Sequence, residues 1–324
     1  SPCGHPPAIL NDTTTKPRML RIVQYNIHRF LHPTTSTSTL PHVIQALQRL
    51  KPDVLTLNEM DITTEPKAFQ ALASALQLPY VEFYGHVNGR YGNAILSKHP
   101  LKRTVATTLR GGTSFEFPPG TLKLNGTVAE AGETHRIVRG LLVCEIAHPQ
   151  VGDICVGCTH LDHIDIEQRK IQFQHIMELL HHATTAPVLL CGDFNALERN
   201  DYTDLQWAGL EQRAAANHWN PPSSGDLQQL TQHGYVDSGR SSKNVNSDSD
   251  SDRPPPCTAP TTTPAPLYRI DYLWTKSTPQ IDVACLNHTV DRATTCSDHY
   301  PLVVDVALTK KKTTRRDSGR SSHL

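Results

Sequence analysis

The stretch Val188-Leu-Leu-Cys-Gly-Asp-Phe-Asn195 decides how this sequence folds. Val188–Cys191 is apolar at every position and too short for a helix, the mark of a strand buried on both faces. The run stops on Gly192, and Asp193 and Asn195 follow at once. The same arrangement recurs along the chain. Leu20–Gln24 runs into Tyr25-Asn26, Asp53–Leu57 into Asn58-Glu59, and Ile154–Thr159 into His160. A strand advances ~3.3 Å per residue, so strands ending at a common edge deliver all these side chains to one mouth. Asp271 lies within Tyr-Arg-Ile-Asp-Tyr-Leu-Trp, and Asp298-His299 stands just before a last apolar strand, Leu302–Leu308. An Asn or Asp at a strand end is, taken singly, a turn former. The set carries the argument.

Helical periodicity fills the gaps. Leu40–Leu50 is entered through Pro41 and sets Val43, Leu47 and Leu50 on one face. Lys67–Leu76 repeats the pattern, Ile166–His182 is longer with Phe173, Met177 and Leu180 in register, and Asp204–Asn217 reads as a helix. Val81–Tyr84, Ala94–Ser97, Ile137–Ile146 and Tyr268–Thr275 read as further strands. Strand–helix alternation mixed with runs of strands predicts packed sheets flanked by helices.

Composition bounds the rest. Of 324 residues, 37% are hydrophobic, enough for one sizeable core if part of the chain is left out of it. Residues 1–18 are polar and Pro/Thr-rich and read as a loose arm; about 238–266 is a low-complexity insert; 309–324 is a basic tail; 19–308 is the folded domain. Asp-Ser-Gly-Arg-Ser-Ser occurs at both Asp237–Ser242 and Asp317–Ser322, each a candidate for phosphorylation or a low-complexity coincidence. No run is long enough to span a membrane. The first thirty residues lack a signal peptide's apolar core, which favours cytoplasm or nucleus, although the sequence starts at Ser1 rather than Met. No obligate protein partner is expected. Lys+Arg and Asp+Glu are both 31, so no global positive charge favours long duplex DNA. Cys155 and Cys158 form a C-x-x-C, but on a strand residues three apart face opposite sides, so they read as core thiols.

Tyr25-Asn26, Asn58-Glu59, Tyr91-Gly-Asn-Ala-Ile-Leu-Ser97, Thr159-His160-Leu161, Gly192-Asp193-Phe194-Asn195, Arg269-Ile-Asp271-Tyr272 and Ser297-Asp298-His299 stand in this order. Together they resemble the signatures of the endonuclease/exonuclease/phosphatase (DNase I-like) superfamily over roughly residues 19–308. The resemblance implies an α/β four-layer sandwich, two mostly antiparallel sheets packed face to face with helices outside. It also implies hydrolysis of a phosphate ester with Mg²⁺ or Mn²⁺. Transferred residue by residue, Glu59 is the metal carboxylate with Asn26 beside it. Asp193 orients or deprotonates the attacking water, and Asn195 donates to phosphate or nucleophile. His299 donates to a nonbridging oxygen, its ring held by Asp271 or Asp298. His160 protonates the leaving oxygen or binds the phosphate. Asn93 is a weaker candidate for touching substrate, and Arg169 a buttress for the His160 loop. These roles agree with the chemistry, because positioning and charge stabilisation do most of the work in phosphoryl transfer, and Mg²⁺ takes few carboxylates.

Thr159-His160-Leu161 resembles the branch of deadenylases, 5′-tyrosyl-DNA phosphodiesterases and neutral sphingomyelinases. Asn58 departs from the commoner Gln before the metal Glu, though an amide is kept. The segment Arg103–His135, carrying Phe115 and Phe117, is expected to shape the substrate mouth, and Trp207–Trp219 is a further recognition candidate. The expected substrate is a nucleic-acid end, a small molecule or a lipid headgroup. A lipid or small-molecule phosphatase, or a sphingomyelinase-like enzyme, is the alternative within the class. A catalytically silent binding module is the alternative outside it, disfavoured because Glu59, Asp193, Asn195 and His299 are all present.

Overall fold

The computed structural model describes residues 19–123, 127–216, 220–241 and 268–311. The arm, most of the low-complexity insert, most of the tail, the second Asp-Ser-Gly-Arg-Ser-Ser copy and Trp219 lie outside them.

Two six-stranded sheets form the centre. In chain order the strands are β1 (Met19–Asn26), β2 (Val54–Asp61), β3 (Tyr80–Val87), β4 (Tyr91–Ser97), β5 (Leu101–Thr108), β6 (Ser114–Glu116) and β7 (Thr134–Arg136). They continue as β8 (Gly140–His148), β9 (Gly152–His160), β10 (Val188–Asp193), β11 (Val236–Asp237), β12 (Asp271–Lys276), β13 (Ile281–Val290) and β14 (Leu302–Lys310). One sheet runs β13-β14-β1-β2-β4-β3, the other β11-β12-β10-β9-β8-β5, and β6-β7 is a separate hairpin. Each large sheet has one parallel pair, β1 with β2 and β9 with β10, set among antiparallel neighbours in the same succession.

The sheets stack because their strands are apolar on both faces. Ile22, Val54, Val156, Cys158, Leu189, Cys191 and Val304 meet in a core between them. The next residues along, Val23, Leu55 and Leu57, turn outward to α1 (Leu40–Leu50) and α2 (Ala68–Leu76). Cys155 and Leu190 turn outward to Phe173, Ile176 and Leu180 of α3 (Ile166–Ala183) and Leu230 of α5 (Gln228–Gln232). Four layers result, and Cys155 and Cys158 lie on opposite faces of their sheet. The remaining helices, α4 (Asp204–Ala216) and the four-residue α6 (Ser238–Ser241), flank the second sheet. Among the described residues no helix is long and apolar enough to cross a membrane.

Three boundaries need correction. Arg103–Thr108 belongs to β5, an edge strand whose polar, half-exposed residues hide its identity in the sequence, so the loop starts only at Leu109. The low-complexity boundary at 238 is also too early. Ser238–Ser241 is helical, Asp237 bonds the buried Arg269 through both carboxylate oxygens at 2.7 Å, and the Ser238 hydroxyl pairs with His288 Nδ1 at 3.0 Å. Residues 237–241 of the first copy of the repeat are therefore part of the fold, and Ser242 lies outside the described residues. Similarly, Thr309 and Lys310 complete β14 rather than starting the tail.

Candidate active site

The parallel pairs set the site. In one sheet Asn26 stands beside Asn58; in the other His160 stands beside Asp193. Asn26, His160 and Asp193 are the last residues of their strands, Asn58 lies where the β2–β4 register shifts between Leu57 and Met60, and the two edges face each other. Gly192 makes the second edge possible, since a Cβ there would sit 1.9 Å from the Thr159 carbonyl oxygen.

Asn58 joins the sheets. Its Oδ1 accepts from Gln24 Nε2 at 2.6 Å and from the Asp193 backbone N–H at 2.9 Å. Its Nδ2 donates to Asn93 Oδ1 at 2.9 Å and to the Thr159 carbonyl at 3.0 Å. The amide kept at this position thus ties β2 to β1, β4, β9 and β10. Asn93 is fully buried and donates to the Gly140 carbonyl at 2.8 Å. Asn93, the weaker candidate for touching substrate, braces Asn58.

Asp193 lies at the centre, 2% exposed. Its Oδ2 accepts from Asn26 Nδ2 at 3.0 Å and faces His160 Nε2 at 3.5 Å and His299 Nε2 at 3.6 Å. Its Oδ1 accepts the backbone N–H of Asn195 at 3.1 Å, and the Asn195 amide donates to the Leu161 carbonyl at 3.1 Å. Burial pushes the Asp193 carboxyl up to about 7, against the pull of His299 and with a further push from Asp271, its cross-strand partner. His299 Nδ1 bonds Asp271 Oδ2 at 2.7 Å. Burial alone would lower the His299 pKa, but Asp271 and Asp193 together hold it well above 6.5, so the ring is an imidazolium at neutral pH. Of the two candidate holders of this ring, Asp271 is the one in contact. Asp298 accepts from the Ser297 hydroxyl at 3.2 Å and lies 3.5 Å from His28 Nδ1.

Asp193, Asp271 and His299 bring ligand-type atoms within 4.8 Å of one another. Of these, Asp271 and His299 are hydrogen-bonded at 2.7 Å, while Asp193 stands 3.6 Å from the other ring nitrogen. Glu59, the carboxylate expected to hold a cation, stands beside Asn26. Its Oε1 accepts from Asn26 Nδ2 at 3.1 Å, while Oε2 faces His28 Nδ1 at 3.8 Å, beyond hydrogen-bond reach. Glu59 also holds a left-handed backbone, φ 57°, as do Asn195 and the run His28–Phe30. Such conformations cost ~1–3 kcal/mol each in a residue with a side chain. Three of these strained positions, Glu59, Asn195 and His28, border the Asn26–Asp193 contact.

Sequence reasoning missed four neighbours, His28, Arg139, His163 and His86. His28 stands between Glu59 and Asp298. Arg139, 7% exposed, donates from its two terminal nitrogens to Nδ1 of His160 at 3.2 Å and Nδ1 of His163 at 3.1 Å. His86 is buried next to Arg139, and burial together with that charge lowers it to about 3. None stands in a recognisable motif, but Asn26-Ile-His28 and Leu161-Asp-His163 place two of the histidines within two or three residues of a site residue, a signal that was available. Arg169 does buttress the His160 loop: it pairs with Asp226 at 2.7 Å and donates to the Asp162 carbonyl at 3.1 Å. Phe115 and Phe117 meet edge to face and both lie tilted against His135 at the β6-β7 hairpin, which is anchored near the site by Thr113 on Asp162. Trp207 packs on Tyr202 and under Arg199, away from these residues.

The architecture is shared with solved structures. An endonuclease/exonuclease/phosphatase from Beutenbergia cavernae DSM 12333 superposes with a TM-score of 0.58 at 20% identity, over 90% of this chain and 72% of that one. The human Nocturnin catalytic domain with bound sulfate anion gives 0.57 at 19%, over 90% and 94%. A mannosyl-6-phosphatase of Bacteroides thetaiotaomicron VPI-5482 gives 0.55 at 17%, over 89% and 99%. No curated protein matches the sequence. Residues 23–299, from β1 through His299, match the sequence pattern of one family, and the chain belongs to it: the Endonuclease/Exonuclease/phosphatase family.

Proposed function

We propose that this protein is a divalent-metal-dependent phosphoesterase that hydrolyses a phosphodiester or phosphomonoester. One observation carries the reading: a buried carboxylate, Asp193, is encircled by Asn26, His160 and His299 where two sheet edges meet. The similar folds include a phosphatase and a domain that binds a sulfate anion, a phosphate-shaped ligand.

Each group has a task. Asp193, pushed up to about 7 by burial, is a base of suitable strength for removing a proton from attacking water. The His299 imidazolium, oriented by Asp271, donates to a nonbridging phosphoryl oxygen, where negative charge grows. Asn195 fixes the Asp193 carboxylate through its backbone N–H. Glu59 offers carboxylate oxygens suited to Mg²⁺ or Mn²⁺, and Asn26, whose amide nitrogen donates to Glu59 and whose oxygen accepts the His28 N–H, would join it by turning its amide. Such an ion would neutralise charge on the phosphoryl group.

A panel of bis-nitrophenyl phosphate, single- and double-stranded DNA, RNA, phosphoinositides and sphingomyelin, with Mg²⁺ or Mn²⁺, tests the proposal. Turnover of at least one substrate is expected, lost with chelator and in Glu59→Ala and His299→Ala. Turnover indifferent to chelator, or surviving both substitutions, would remove the mechanism. RNA cleavage with inert lipids would assign a nuclease, and the reverse a lipid phosphodiesterase.

A further inference from the structure

Arg139 is placed unusually for a buried cation. It immediately precedes Gly140 at the start of β8, and its two terminal nitrogens meet imidazoles rather than carboxylates. The Tyr91 hydroxyl lies beside it, and its Nε has no partner among the described residues. A guanidinium carries only donors and does not deprotonate. A ring nitrogen 3.1–3.2 Å from it must therefore be the acceptor, with its lone pair free. This fixes the proton of both histidines. His160 Nδ1 and His163 Nδ1 are bare, and each ring carries its hydrogen on Nε2. For His160 that hydrogen faces the Asp193 carboxylate, 3.5 Å away, and hence the reaction centre.

We propose that Arg139 locks His160 as the neutral Nε2–H tautomer, so that His160 acts on the phosphoryl group as a hydrogen-bond donor and not as the acid that protonates the leaving oxygen. The inference rests on the phosphoesterase reading for its consequence, while its geometry stands without it. The surroundings agree. His160 is faced by Asp193 from β10, His299 from the loop before β14, His163 from its own loop, His86 from β3 and Arg139. Burial first, then Arg139 and the neighbouring histidines, disfavours a second proton on the ring. Arg139 also strengthens the donor it creates, because a cation on Nδ1 draws electron density from the ring and makes Nε2–H more positive. The guanidinium thus acts on the phosphate through an uncharged ring, as a positioning residue. Its fork reaches two rings at once, which the point charge of a lysine cannot reproduce. His160 keeps its proton throughout turnover. The proton that Asp193 takes from water is then the one available to the departing oxygen, which keeps the count balanced.

Nitrogen NMR of the full chain labelled with ¹⁵N-histidine tests this directly, with His160→Asn assigning the signal. In the unsubstituted protein, without substrate, His160 Nδ1 is expected to give the signature of an unprotonated ring nitrogen from about pH 5 to 8. In Arg139→Met, which keeps the length of the side chain, Nδ1 is expected to take up a proton within that interval. The rate is expected to fall ~10–100-fold, mostly in kcat, with a pH dependence that the unsubstituted protein lacks. Arg139→Lys should restore folding but not the fixed tautomer. A protonated Nδ1 in the unsubstituted protein overturns the proposal whatever the variants do, as does a tautomer unchanged in a folded Arg139→Met. A bare Nδ1 in a protein that hydrolyses nothing would support the lock and sink the phosphoesterase reading. A titrating Nδ1 in an active enzyme would do the opposite.

Discussion

Asn58 shows what a single side chain does here. Its amide satisfies partners on four strands, all buried. Asn58→Leu fills a similar volume, takes the partner from the Asp193 N–H and a donor from Asn93 Oδ1 and the Thr159 carbonyl, and leaves Gln24 Nε2 only its 3.4 Å bond to Asp271. At ~1–3 kcal/mol for each orphaned group, with partial relaxation, a loss of ~3 kcal/mol or more is expected. Urea unfolding would measure it, and a cost below ~1 kcal/mol would show that the hub is dispensable. Asp193→Asn keeps the shape and removes the base, so kcat should fall ~10²–10⁴-fold with the fold intact by circular dichroism. The sequence made most of this residue list legible, because Asn26, Glu59, His160 and Asp193 each end an apolar run. It left Asp271 and Asp298 undecided as the holder of His299, because both stand near it and only the turn at Ser297–His299 decides which carboxylate meets the ring. Arg139 was hidden for another reason. Its role depends on which ring nitrogens it meets, and no spacing encodes that.

Among the elements, buried strands were plain and edge strands were not. Val188–Asp193 is buried throughout and reads as a strand at sight. β5 and β13 lie at sheet edges, expose polar residues and lose the apolar signature. The short elements around Arg269 were hidden as well. This fully buried arginine binds Asp201 at 2.8 Å and Asp237 at 2.7 Å, clasping β11 and the turn before α4 to the segment entering β12. Arg269→Met leaves the two buried carboxylates to the half-exposed Arg240 alone, and a loss of ~3 kcal/mol is expected. A thermal midpoint unchanged in that variant would show the clasp to be idle. The same packing buries Ser238, so a kinase acting on the native fold should leave Ser238 unmodified. Mass spectrometry of native against urea-unfolded protein would test that accessibility.

The whole molecule carries an acid weakness. Burial lowers His86 to about 3, and His163 and His288 to about 4. Unfolded, each would titrate near 6.5. Below that value the unfolded chain binds protons that the folded chain refuses, so stability falls as pH drops from about 6.5 toward 4. Each group contributes up to ~1.4 kcal/mol per pH unit. Asp193, raised to about 7, acts in the opposite sense, but the lowered histidines, His160 among them, outnumber it, so urea midpoints should fall between about pH 6.5 and 5 and His86→Phe should flatten the slope. A midpoint flat across that range would contradict the buried neutral state of these rings.

β1 lies between β2 and β14, with Met19 opposite Ala307. The opening strand therefore borrows its second neighbour from the far end of the chain. A ribosome must release the chain through residues 302–310 before the first sheet can close, and a nascent chain cut short before residue 302 would leave Ile22 and Val23 with an open flank. Such distant pairings slow folding, so the time spent half-made, rather than the finished state, is when this molecule is most exposed to a chaperone or a protease.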